Sequence, residues 1–434
     1  MTRAADVIVI GAGVIGAAVA YELAKQGKSV LSLDAKGAAG HGSTAGSCAI
    51  VRVHYSTLQG CAMAWEGYHD WAGWRDYLGA PTGETLAEFR QTGCLVMKTE
   101  ANGGLEKHMA MSRALDCPYE EWDADRILGR LPIYRLDRFA PAKRMDDAGF
   151  GAPTGGALTG AVLWPTAGYV TDPALSAQNI ADAARRHGAR FRFNAQVVEI
   201  LTAGGRVAGV RLADGSELHA PVVVNVAGPA SARINAMAGV LEDMTIETRP
   251  LRQEVVHVPA PEGFDFEQDG LIVSDGDIGC YCRPERGNNI LIGSEDPECD
   301  THHWIDDRDW NTDFTEQWTT QALRYAQRVP SLGIPSRMRG VVELYDAATD
   351  WIPIYDKSAL PGFYMACGTS GNQYKNAPVA GRLMAALIDY CEGGTDHDVT
   401  PMRLRLGHIG HEIDASFFSR RRAINAESSF SVLG

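Results

Sequence analysis

The sequence predicts a two-domain α/β protein: one domain is a parallel sheet assembled from discontinuous segments, the other is dominated by an antiparallel sheet. Three observations carry this. Residues 6–34 read as strand, glycine-rich turn, helix and strand, a βαβ unit. Far downstream, Val222-Val-Val-Asn-Val-Ala-Gly228-Pro229 is again an apolar, β-branched run ending on a glycine, as buried parallel strands do. From about 250 to 295 the strands lengthen and their polarity alternates, the mark of antiparallel strands with two different faces.

Taken in order, Asp6-Val-Ile-Val-Ile10 is the first strand, and apolar residues from Val14 to Lys25 recur at helical spacing until Gly27 stops the helix. Ser29-Val-Leu-Ser-Leu33 is the next strand, closed by Asp34. Residues 35–60 form a Gly/Ser/Ala-rich loop leading into Ile50-Val-Arg52-Val-His54-Tyr55. A helical stretch follows with Trp65, Trp71 and Trp74, whose spacing suits a helix core or interface. Helices are predicted near 106–115 and 124–131, and again at 175–187 after Gly168-Tyr-Val-Thr-Asp-Pro173. Short strands at 190–194, 195–201, 207–212 and 216–220 surround an Asp214-Gly215 turn and form a meander. Later strands fall at 254–258, 279–284, 289–293, 337–345 and 362–367, with helices at 313–329 and 376–391. Residues 395–434 form a tail containing Arg420, Arg421 and Arg422, without strong periodicity.

Composition bounds the function. The chain has 434 residues, 45% of them hydrophobic and 22% charged, which suits a packed protein of several domain-sized units. Its net charge of −14 argues against nucleic acid or an anionic membrane as partner. Nine scattered cysteines, odd in number and with no C-x-x-C pair, read as reduced thiols. Cys280 and Cys282 share one face of a strand, which packing explains. The apolar run 7–21 is too short to span a membrane and follows Asp6 rather than a basic segment, so no membrane span and a cytoplasmic location are expected. His302 and His303 with Asp306, Asp307 and Cys299 read as an exposed polar loop, and His408, His411 and Glu412 as part of the tail; no metal is expected.

The sharpest motif is Gly11-Ala-Gly13-Val14-Ile15-Gly16, between strand and helix, with the acidic Asp34 about 20 positions further on. Gly11 permits the tight turn, Gly13 lets a pyrophosphate reach the backbone, and Gly16 allows close helix–strand packing. Free N–H groups at the helix start favour phosphate. Asp34 would accept from an adenosine ribose and disfavour a 2′-phosphate. The Rossmann-like fingerprint specifies a dinucleotide and leaves NAD and FAD open.

Further segments decide between them. Gly42-Ser43-Thr44-Ala45-Gly46-Ser47-Cys-Ala-Ile-Val-Arg52, Gly168 to Pro173, Val222 to Pro229, Gly340 to Pro353 and Gly368-Thr-Ser370-Gly371-Asn372-Gln373-Tyr-Lys375-Asn-Ala-Pro378 occur in an order that resembles the D-amino-acid oxidase and sarcosine oxidase superfamily of FAD enzymes. Within it the chain is similar to sarcosine oxidase beta-subunit-like and glycine oxidase-like proteins over roughly 6–392. A disulfide reductase would need a second G-x-G-x-x-G and a C-x-x-x-x-C, both absent.

The resemblance implies a discontinuous Rossmann-like FAD-binding domain (1–80, 150–230 and 335–395), a substrate domain (81–149 and 231–334) and a tail (396–434). It places Gly11, Gly13, Val14, Ile15, Gly16, Asp34 and Ala35 at the cofactor, with Ser43, Thr44, Ala45, Gly46 and Ser47 wrapping pyrophosphate and ring. It adds Val197 at adenine, Ala227 and Gly228 near the diphosphate, and Gly368, Ser370, Gly371, Asn372, Gln373 and Lys375 before the last helix. Arg52 and Lys375 are implied to hold a substrate carboxylate beside the flavin; Tyr281, Arg283, His54 and Tyr55 are further candidates facing substrate. Monomeric sarcosine oxidases attach flavin through a cysteine before a tyrosine; Val342-Glu343-Leu344-Tyr345 has none, so noncovalent FAD is expected. Their oxygen-promoting strand lysine has no counterpart in Ile290-Leu-Ile-Gly293, which leaves the acceptor, oxygen or another carrier, open.

The activity implied is oxidation of the C–N bond of a small amino acid or N-substituted glycine, with imine hydrolysis. A 2-hydroxy acid or glycerol-phosphate dehydrogenase would need a base, for which His54 is the candidate. A noncatalytic FAD-containing subunit of a larger complex is the third reading. Homo- and hetero-oligomers both stay open.

Overall fold

The computed structural model describes residues 3–433. Its first sheet has six strands in the order Ile354–Lys357, Phe363–Cys367, Val222–Asn225, Val7–Ile10, Val30–Leu33 and Arg190–Arg192. All neighbours are parallel except the first pair. The period-2 alternation of a strand gives this sheet two different neighbours. Val7 and Val9 face a core shared with the helices, whereas Ile8 and Ile10 face a second core that includes Val197, Val210 and Leu212. The helices on the first side are Val14–Lys25, Pro173–Arg186 and Ala377–Glu392. On the other side lies the meander Val197–Ala203, Arg206–Leu212 and Glu217–His219. Helix starts follow their caps: Asp172 accepts from Leu175 N–H at 2.9 Å with Pro173 in the first turn.

The second sheet has nine strands and is antiparallel apart from one parallel pair, Cys94–Met97 with Ile272–Asp275. Two of its strands cross the partition drawn from sequence. Gly160–Trp164 pairs with Cys94–Met97, and Gly340–Ala348 pairs with the long strand Thr248–Pro259, from Thr248 opposite Ala348 to Val256 opposite Gly340. Pairing over such separations leaves no local trace in sequence. Helix Glu316–Arg328 covers this sheet with Trp318, Ala322 and Tyr325. Cys280 and Cys282 lie in the same core, and Cys282 Sγ accepts from Tyr325 OH at 3.1 Å.

The tryptophans divide between two helices, because the first ends at Ala72 and Trp74 opens Trp74–Leu78. The tail is folded onto the body. Arg420, fully buried, is paired with Asp243, Asp356 and Asp398, and Arg422 with Asp350 at 2.7 Å. Its order comes from these distant carboxylates, which is why it shows no periodicity of its own. Among the described residues no helix is long and apolar enough to cross a membrane.

Candidate active site

A cavity of about 540 Å³ runs from the C-terminal edge of the parallel sheet to the face of the antiparallel sheet. At one end the glycine fingerprint shows three separate jobs. Gly11 has φ +108°, and a Cβ on it would lie 2.2 Å from Val226 O. A Cβ on Gly16 would lie 2.1 Å from Gly11 O. These two are dictated by the chain itself. Gly13 is different: its Cβ would meet only Thr44 Oγ1, at 3.1 Å, so a side chain there would fill the cradle. Gly13 caps the helix without a side-chain bond to it, and Val14 N–H donates to Thr44 Oγ1 at 3.1 Å. The Asp34 carboxylate accepts from Ala12 N–H and Lys36 N–H, each at 2.7 Å, which braces the glycine turn against the second strand.

Val14, Ile15, Ala35, Val197, Ala227 and Gly228 also line this end, as do Ser43, Thr44, Gly46 and Ser47 of the loop; Ala45 does not. Gly46 sits against Glu343, whose Cγ would be 2.4 Å from an added Cβ. An open backbone cradle at a helix N-terminus, an acidic residue beyond it and a long cleft fit an adenine dinucleotide.

The 368–375 loop splits into bracing and lining residues. Gly368 N–H donates to Asp346 Oδ2 at 2.6 Å and Ser370 N–H to Asp346 O at 2.7 Å, and neither residue reaches the cavity. Gly368 and Ser370, expected at the cofactor, hold the loop to Gly340–Ala348 behind the residues that line the cavity. Gly371, Asn372, Gln373 and Lys375 do line it. Burial raises Asp346 to about 7.

At the far end Arg52 is buried, donating from Nε to Tyr55 OH at 3.0 Å and from a terminal nitrogen to Val432 O. Lys375, also buried, donates to Asn372 O, and its Nζ lies 3.9 Å from the centroid of the Tyr55 ring. Among the described residues no carboxylate lies within ion-pair distance of either cation. Burial, and then Arg52, push Lys375 well below the ordinary lysine range. The shift works against its ammonium form. Tyr281 lines the same end, its OH 3.4 Å from Cys48 Sγ.

Two expected substrate residues lie outside the cavity lining. His54 is buried behind it, stacked on Trp164 at 4.6 Å, and burial with Arg52 lowers it well below the ordinary histidine range. Arg283 is paired with Glu285 at 2.9 Å and covers the Tyr169 ring at 4.4 Å. Arg283 shares a strand face with Tyr281 but is drawn to Glu285 and Tyr169, and His54, beyond the end of strand Ile50–Val51, is held by its stack on Trp164.

The sequence reading missed Tyr345, Gln253, Asp346 and Val432 as lining residues. A trace of the first existed: an added Cβ on Gly371 would lie 2.4 Å from the Tyr345 ring, as one on Gly293 would lie 2.3 Å from the Tyr281 ring. Such glycines mark an aromatic ring lying across the backbone, but not which ring.

Residues 6–387 match the family described as FAD dependent oxidoreductase (DAO). Glycine oxidase of Geobacillus kaustophilus is 26% identical over 95% of this chain and 100% of its own length. Sarcosine oxidase subunit beta of Rhodobacter capsulatus is 25% identical over 88% and 84%. Among solved structures, L-proline dehydrogenase from P. horikoshii superposes with a TM-score of 0.74 at 19% identity, over 97% of this chain and 98% of that one. The family match spans both ends of the cavity and the fold agrees with it: the chain is an enzyme of the FAD-dependent oxidoreductase family.

Proposed function

We propose that the enzyme oxidises the C–N bond of a small amino acid or N-substituted glycine, giving an imine that water hydrolyses. When bound, FAD supplies the two-electron acceptor, at N5 of its ring. The observation that carries the reading is Arg52: a buried guanidinium in the cavity wall with no carboxylate of the described residues within ion-pair distance, Glu295 acting on it from farther off. A buried cation of this kind wants an anion, and a planar carboxylate suits its fork.

Arg52 fixes the carboxylate and so aims the α-carbon into the cavity. Lys375 adds to the anchor. Burial weakens its hold on the proton, and a carboxylate beside it strengthens that hold again. Tyr55 lies against both cations and keeps water from them. A substrate entering as the free amine needs no strong base, and His54, the base named for the alcohol-oxidising alternative, lies behind the wall. The glycine and sarcosine oxidase relatives support a small amino acid.

FAD is held without a covalent bond in this reading. Among the cavity-lining residues Cys48 is the cysteine, and burial raises its thiol, making it a poor nucleophile. Acid precipitation should leave yellow FAD in the supernatant; flavin remaining in the pellet contradicts this. The function is tested by anaerobic flavin bleaching with amino acids, N-methylglycine, decarboxylated amines and 2-hydroxy acids, followed by admission of air. Bleaching by the amino compounds bearing a carboxylate is the expected result. Bleaching by the hydroxy acids alone, or by none with an artificial acceptor also inactive, removes it.

A further inference from the structure

We infer that the 428–433 segment is a wall of the substrate site, and that the Val432 carbonyl occupies the position on Arg52 that a substrate carboxylate oxygen takes, so that an amino acid binds by displacing it. This rests on Arg52 as the carboxylate anchor.

The segment has a fixed base and a light attachment. Arg420 and Arg422 are tied by ion pairs to Asp243, Asp356, Asp398 and Asp350, and Asn425 N–H reaches Asp350 at 3.4 Å. Beyond Asn425 an exposed ion pair joins Glu427 to Lys107 at 3.5 Å, and the bonds within the segment are short-range: Ser428 N–H to Asn425 O at 3.1 Å, Phe430 N–H to Ser428 Oγ at 3.1 Å, Leu433 N–H to Ser431 Oγ at 3.2 Å. Phe430 has φ +50° and is 43% exposed. The chain then turns inward. Val432 is buried against Leu251, Ala347 and Trp351 and lines the cavity. Its carbonyl accepts from Arg52, and the Leu433 carbonyl accepts from Ser56 N–H at 3.3 Å.

A carbonyl oxygen offers a guanidinium a dipole; a carboxylate offers a full charge and can use both arms of the fork. The exchange therefore favours the substrate, and it requires Val432 to leave its seat against Leu251, Ala347 and Trp351. Affinity for any carboxylate is reduced by the fraction of molecules in which the carbonyl is seated.

The test uses the FAD-loaded full-length protein, a variant ending at residue 427, and Val432→Gly, which keeps the carbonyl but loosens its seat. The probes are acetate and the bulkier benzoate, followed by perturbation of the flavin absorbance, without turnover. The truncated protein should bind acetate and benzoate each about tenfold more tightly. Val432→Gly should move in the same direction by less, and it stands alone if the truncation does not fold. Arg52→Met should abolish binding in every background. Hydrogen exchange over 428–433 should rise when acetate saturates the full-length protein. Acetate affinity within about twofold of the parent in the shortened protein or, where that does not fold, in Val432→Gly, with binding still dependent on Arg52, overturns the inference and leaves the carboxylate anchor standing. Loss of acetate binding on truncation overturns it too. Acetate binding indifferent to Arg52→Met overturns the inference and the proposed function together.

Discussion

Around Gly11 and Asp34 the cavity wall is backbone; around Arg52 and Lys375 it is side chains. The first end is one contiguous βαβ unit whose polar groups are paired within the protein: Asp34 with Ala12 and Lys36, Val14 with Thr44. The second collects Arg52, Tyr281, Tyr345, Lys375 and Val432 from distant parts of the chain, and its cations have no carboxylate within ion-pair distance among the described residues. Backbone recognition suits a cofactor that stays; unpaired side-chain charge suits a substrate that comes and goes. The difference lets each end be broken without the other.

The largest effect should come from Gly11→Ala, which places a Cβ against Val226 O at a positive φ. Strain and clash together should cost more than about 3 kcal/mol, visible as a large fall in Tm of both apo and loaded protein. Gly13→Ala sharpens the contrast: only the Thr44 side chain must give way, so the apoprotein should melt within about 1 kcal/mol of the parent while FAD content collapses. Equal destabilisation by both would remove the distinction between the two glycines.

Arg52→Met should cost about 2–4 kcal/mol in the reduction step with amino acids, through a higher KM and a slower rate together, at normal FAD content. Asp34→Ala should weaken FAD by about 1–3 kcal/mol, part of it through loss of the brace on the glycine turn, and leave the acid-over-amine preference of the remaining holoenzyme intact. Its check is the FAD dissociation constant.

The subtlest effect is a slope with pH. Burial holds Lys375 well below the ordinary lysine range in the folded apoprotein, and in the unfolded chain it titrates near 10.5. Below that value, down to the depressed folded one, the unfolded state binds the extra proton, so stability rises with pH. Lys375→Met should therefore be more stable than the parent at neutral pH, and the gap should close as pH approaches about 10. Thermal melts of the two apoproteins across that range measure it, and parallel curves would contradict it.

These contrasts also explain what could be read from sequence. The fingerprint at Gly11, Gly13 and Gly16, helix Val14–Lys25 and the meander after Pro173–Arg186 follow from local periodicity and turn chemistry. The pairing of Gly340–Ala348 with Thr248–Pro259 does not, nor does the burial of Arg420 among three aspartates, because both are settled by partners far along the chain. At the substrate end the family pattern led to Arg52, Tyr281 and Lys375, all of which line the cavity. It could not show that His54 stacks on Trp164 behind the cavity, that Arg283 is drawn to Glu285, that burial pulls Lys375 below the ordinary lysine range, or that residue 432 returns to Arg52.

The central claim is that Arg52 reads a carboxylate. The direct measurement is anaerobic stopped-flow reduction of the parent and Arg52→Met, each with an amino acid and with the amine left when its carboxylate is removed. The account predicts that the parent reduces at least about tenfold faster with the acid, that Arg52→Met loses this preference, and that reduction by the amine changes little. A variant that keeps the parent's preference for the acid over the amine would contradict it.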